Sequence, residues 1–208
     1  MAEITIYPSD DSVTRENHAA TIYGDADYVW VQSDVGQKGY SYFKFDVSGI
    51  PEGATISSAI LYVYVNAKKD YYSHVSVYKP DADIDEDTLT WANQPGVDGA
   101  AIFDIDLSTA GWKNSGSSLT DIVKDWHDGD INNYGITLRE DAGDIDGYSR
   151  MDSKETLTPA RKPYFIVTYA PPSGGGFSGF SPWIFMKDAW EKHNKIFKPK
   201  GILIPKGI

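Results

Sequence analysis

A chain of 208 residues with 41% hydrophobic residues is long enough for one domain with a sizeable core and a small appendage. It has no cysteine, which excludes a disulfide framework, a thiolate metal site and thiol catalysis. No window approaches the roughly 18 to 20 apolar residues of a membrane-spanning helix, and the net charge of −11 divides unevenly, into −15 for residues 1–172 and +4 for residues 173–208. An acidic body repels phosphate backbones, so nucleic acid is not an expected partner for residues 1–172.

In chain order, short strands are predicted at residues 3–8, 18–24 and 28–33. Residues 40–47, "YSYFKFDV", alternate with period two, with Ser41, Phe43 and Phe45 on one face and Tyr40, Tyr42 and Lys44 on the other. After a Pro and Gly turn, residues 58–67 form another strand, with Leu61, Val63 and Val65 opposite Ile60, Tyr62 and Tyr64. Residues 73–80, 101–107, 134–140 and 163–170 complete the set, each bounded by Gly, Pro, Asn or Asp. One helix interrupts them in "SSLTDIVKDWHDGD". There Leu119, Ile122, Val123 and Trp126 recur at helical spacing, Ser117 or Ser118 can cap the start, and Gly129 suits the end. The fold class expected is all-β, an antiparallel sandwich or jelly roll with one short helix, plus a C-terminal helical and extended tail.

The sandwich is expected to end at Pro171 and Pro172, giving a body of residues 1–172. Residues 173–181 have hinge composition. Residues 182–208 follow as an amphipathic basic helix and an extended tail, in which Trp183, Phe185, Trp190, Phe197, Ile202, Leu203 and Ile204 need burial by a protein partner or a symmetry mate. The N-terminal residues lack the basic start and apolar core of a signal peptide. A removed leader or export within an assembled particle would each account for that, and the setting expected is extracellular, on a virion or on a cell surface.

Several blocks together, "YFKFDVSGIPEGATISSAILYVYV" (42–65), "TLTWANQPG" (88–96), "IVKDWHDGDINNYGITLRE" (122–140) and "PYFIVTYAPP" (163–172), resemble the DNRLRE domain, the disaggregatase-related β-sandwich module. The similarity covers about residues 3–171. It implies a non-catalytic sandwich appended to secreted or surface proteins, with some relatives acting as carbohydrate-binding modules, and it brings no catalytic set. Ile84 stands where such relatives often carry Trp, and residues from Ser173 onward have no counterpart in the module.

Saccharides are held by stacking their C–H faces on aromatic rings, and the candidates for such a patch are Tyr40, Tyr42, Tyr62 and Tyr64 on the outward faces, with Tyr71 and Tyr72 in the next loop. Cross-strand tyrosine pairs also stabilise sheets without binding anything. Trp91 and Trp126 are expected in the core. No cofactor is required by any motif, and catalysis is not expected, since the four histidines are scattered and no nucleophile elbow occurs. Calcium is an option in two oxygen-rich stretches. Asp81, Asp83, Asp85 and Asp87 alternate, while Asp141, Asp144 and Asp146 share a compact loop that is the better candidate; solvated acidic loops are the ordinary reading of both. The function expected is a non-catalytic structural display subunit of an oligomeric assembly, anchored by its tail with an outward-facing sandwich able to grip glycans; the alternative is a carbohydrate-binding module of a secreted polysaccharide-active protein.

Overall fold

A computed structural model describes residues 1–69, 75–140 and 147–172. Tyr71 and Tyr72, Asp141, Asp144 and Asp146, the hinge at 173–181 and every tail residue named above lie outside the described residues. The described strands are β1 (Ala2–Ile6), β2 (Pro8–Arg15), β3 (Tyr28–Gln32), β4 (Gly39–Phe45), β5 (Thr55–Lys69), β6 (Val75–Pro80), β7 (Val97–Ile105), β8 (Gly111–Asn114), β9 (Ile136–Arg139), β10 (Tyr148–Asp152) and β11 (Tyr164–Ala170), with helix α1 (Thr120–Asp128). All pairings among them are antiparallel.

The long strand β5 organises one layer. One edge carries β11 and then β10, and the other carries β8; β1 adds beyond β11 and β3 beyond β10. The second layer runs β2, β4, β9, β6, β7. A single pairing of Gln32 with Gly39 joins the layers, so the sheet curls on itself as expected of an all-β sandwich. Period-two alternation places Phe43 and Phe45 of β4, Leu61, Val63 and Val65 of β5, Ile136 and Leu138 of β9, and Phe165 and Val167 of β11 in the shared core. The rings of Phe45 and Phe165 meet edge to face at 4.3 Å between the layers. Phe45→Ala is expected to cost about 3 to 5 kcal/mol, read as a lowered urea midpoint, because the cavity opens where neither layer can collapse.

Helix α1 lays Ile122, Val123 and Trp126 on this core, and Gly129 ends it at φ 77° with its N–H on the Asp125 carbonyl. The start differs from the expected serine cap. Leu119 holds the cap position and no side chain caps the helix. The Thr120 hydroxyl instead donates to the Ser117 carbonyl and accepts the N–H of Ala59, tying the helix to β5.

Two further departures have physical causes. Residues 18–24 form no strand: a short 3₁₀ turn at Glu16–His18 precedes local bonds from Thr21 N–H to His18 and from Ala26 N–H to Tyr23, and the Ala19 carbonyl accepts the Ala92 N–H instead of joining a ladder. The polar stretch "PSDDSVTR", by contrast, is strand β2, because β4 offers it a ladder from Pro8 to Arg15, irregular at Ser9.

Residues Asp11 to Thr14 of β2 are buried, and the segment 81–96 explains why. It crosses the outer side of β2 and β4, where Ile84 and Leu89 pack on Tyr42 as a second small core. Gln94 Oε1 accepts from Thr14 and from the Tyr42 hydroxyl, and Arg139 donates to that hydroxyl and to the Pro95 carbonyl. Glu86 accepts the Asp11 N–H and pairs at 2.7 Å with Lys154, which also bonds Glu155. Asp11, only 1% exposed, accepts the Lys154 N–H. Burial pushes its carboxyl well above the ordinary 3.8, with the carboxylates of Glu155 and Glu86 adding to the shift against Lys154. A raised acid contributes stability that is full below pH 3.8 and is lost as pH rises through its higher folded value. Asp11→Asn is therefore expected to raise stability at pH 7 by about 1 kcal/mol and to flatten its fall above pH 4, measured as urea midpoints at both pH values.

Candidate functional site

Alternation along the first layer turns one residue in two outward, and part of this outward face is aromatic. Tyr62 of β5 pairs with Tyr164 of β11, and Tyr64 of β5 with Trp112 of β8. Their rings make a continuous platform: Tyr7 to Tyr164 at 6.2 Å, Tyr164 to Tyr62 stacked at 4.9 Å, Tyr164 to Trp112 at 5.4 Å and Trp112 to Tyr64 at 5.5 Å. Tyr7 is 55% and Trp112 42% exposed, while the other three are half-buried. Arg161 lies over Tyr64 at 4.3 Å. Burial, with Tyr62 and Tyr7 alongside, raises the Tyr164 phenol above its usual value, so its hydroxyl stays a donor at neutral pH.

A second cluster occupies β3 and β10 of the same layer. Arg15, Tyr28, Trp30, Gln32, Tyr148 and Arg150 line a cleft of about 230 Å³. Tyr28 and Trp30 stack at 5.2 Å, Arg15 sits 4.2 Å over Trp30 and Arg150 4.6 Å over Tyr28. Each of the chain's four arginines lies over a ring in this way. None of them pairs with a carboxylate among the described residues, although the chain has 30 acidic residues. Stacking fixes the guanidinium planes and leaves N–H donors for an incoming anion.

The four tyrosines read from strand alternation do not form one patch. Tyr62 and Tyr64 belong to the platform. Tyr42 is fully buried, because residues 81–96 cover the outward face of β4, and it is withdrawn as a contact residue. Tyr40 stays half-buried on the second layer against Trp91 at 5.1 Å and under Arg139 at 4.5 Å. Trp91 is half-buried there, outside the core; Trp126 is buried in it. Tyr7, Trp112, Tyr164, Tyr28, Trp30, Arg15 and Arg150 are the additions from the structure. Period two in "PYFIVTYA" and "YVWVQ" already sets Tyr164, Tyr28 and Trp30 opposite the apolar positions, whereas nothing in "GWKN" marks Trp112 as a strand residue.

Asp83 pairs with Lys44 at 2.6 Å and Asp85 bonds Asp87 N–H and Thr88, so these aspartates build turns. Among the described residues no group of three or more His, Asp or Glu is arranged to hold a metal ion, and no helix is long and apolar enough to cross a membrane. A larger hollow of about 470 Å³ beside α1 is lined by Asp81, Asp98 and Asp130, and its Lys79 is already paired with Asp98 at 3.0 Å.

The comparison with curated proteins gave no match. The model of carbohydrate-binding module family 96 matches residues 2–169, nearly all of the two layers. A sandwich with an open aromatic face and a match over that length agree: the chain belongs to carbohydrate-binding module family 96.

Proposed function

We propose that this protein is a non-catalytic polysaccharide-binding module, and that its ligand lies on the outer face of the first layer. The observation that carries the reading is the platform of five touching rings, two of them more than two-fifths exposed. Tyr62 and Tyr164 stack on each other and Trp112 meets Tyr64 and Tyr164 edge-on, so the exposed rings of Tyr7 and Trp112 offer the apolar surface to sugar C–H groups while tyrosine hydroxyls meet sugar hydroxyls at the rim. The guanidiniums of Arg15 and Arg150, which pair with no carboxylate among the described residues, add a preference for polymers carrying carboxylate or sulfate groups, which they can hold by paired N–H bonds. Family membership favours this function, the alternative reading of the sequence, over the display subunit expected first. An extracellular or surface setting goes with it, and the basic, apolar segment 173–208 is the proposed attachment to a protein partner, on its charge contrast with the acidic body.

Affinity electrophoresis through gels containing polyuronates, sulfated galactans, neutral glucans or xylans tests this. Retardation in the acidic gels, weakened by added salt, is expected. Unretarded migration in every gel would overturn the function.

A further inference from the structure

The platform and the arginine cleft share one sheet face, and a chain of contacts connects them. Tyr7, Tyr164, Tyr62, Trp112 and Tyr64 form the platform. Beyond Tyr64 the next outward residue of β5 is Asn66, half-buried, whose Oδ1 accepts the Arg150 Nε–H at 2.7 Å. Arg150 lies over Tyr28, Tyr28 stacks on Trp30, and Arg15 covers Trp30. Opposite Arg150 in the ladder is Trp30 itself, so no strand intervenes between the two sides of the cleft.

Resting on the function just proposed, we propose that platform and cleft are one continuous track for a single extended saccharide chain, rather than two independent sites. The track runs obliquely. Tyr62 to Asn66 covers roughly 13 Å along β5, and the step from β5 through β10 to β3 adds roughly 10 Å across the strands. One or two sugar rings occupy only one end of such a path. Once a chain is held at the Trp112 end, its next units meet the Arg150 end as an intramolecular event, so affinity rises by the product of two weak contacts. Asn66 and Arg150 hold the middle, where their mutual hydrogen bond keeps the guanidinium plane fixed over Tyr28.

Calorimetry with the full chain tests the track. The probes are a disaccharide, a tetrasaccharide and a hexasaccharide cut from whichever polyuronate retards the protein most. The hexasaccharide is expected to bind at one per chain and on the order of 100-fold more tightly than the disaccharide. Trp112→Ala and Arg150→Gln, each checked by thermal melting for an intact fold, are each expected to remove most of that gain and to couple in the double variant. Two chains bound per protein, equal affinity at all three lengths, or additive effects of the two substitutions would overturn the single track while leaving polysaccharide binding intact. Absence of retardation in every gel would instead remove the function on which the track rests.

Discussion

Trp112→Ala is expected to weaken binding of the retained polysaccharide by on the order of 30-fold, about 2 kcal/mol, while leaving the melting temperature almost unchanged. The separation of the two readouts follows from where the residue sits. Trp112 belongs to a four-residue strand on the edge of β5 and is 42% exposed, so its removal opens no core cavity. Yet its ring lies between Tyr64 and Tyr164, touching both. Deleting it divides the platform and removes the widest flat surface a sugar ring could stack on. Trp112→Phe is expected to restore part of the affinity, because a smaller ring still bridges its neighbours. Calorimetry paired with thermal melting checks this. Full-strength binding by the alanine variant would move the ligand off this face, and a large drop in melting temperature would make the residue structural.

The second large effect lies away from the platform. Lys154→Met is expected to cost about 3 kcal/mol of stability at pH 7, because Glu86 and Glu155 would keep their charges in a partly enclosed site without a cation, beside buried Asp11. Burial alone would lower the Lys154 pKa, but its bonds to Glu155 and Glu86 outweigh that and hold it above the ordinary 10.5. A raised base contributes stability that is full below pH 10.5 and is lost as pH rises through the folded value, so in the parent this contribution persists across neutral pH. In the variant, lowering the pH towards 4 is expected to recover much of the loss, since protonation discharges the stranded carboxylates. Urea midpoints of parent and variant at pH 4 and pH 7 measure it. An equal deficit at both values would mean that Lys154 acts through packing rather than charge.

This cluster also gives a physical reason for the block "TLTWANQPG" and the residues before it. Ile84, Glu86, Leu89 and Gln94 hold segment 81–96 on β2 and β4 through an apolar contact with Tyr42 and hydrogen bonds from the Asp11 N–H, Thr14 and Tyr42, and Glu86 adds an ion pair with Lys154 beyond β10. The segment closes one face of the sandwich, and the open aromatic face is the other. A sequence resemblance carried by that block therefore reports on the scaffold rather than on the ligand.

Strand alternation was legible throughout "YSYFKFDV" and "SAILYVYVNA", because a period of two is a local property of extended chain, and the core residues Phe43, Phe45, Leu61, Val63 and Val65 follow from it. The helix stripe and its Gly129 stop were legible for the same reason. Strand β2 was not, since its polar residues show no apolar alternation and only β4 supplies their partners. Nor was the fate of the outward tyrosines. Local pattern says that Tyr42 and Tyr62 both point away from the core, and it is right about both. One of them is then covered by a segment some forty residues further along the chain, and the other is joined by Tyr164 from a hundred residues away. Sequence by itself determined the all-β class, the inward faces and the contrast of charge between body and tail. Only tertiary structure decided which outward face stays open and which rings meet on it, because exposure depends on what packs above a strand and not on the strand's own period.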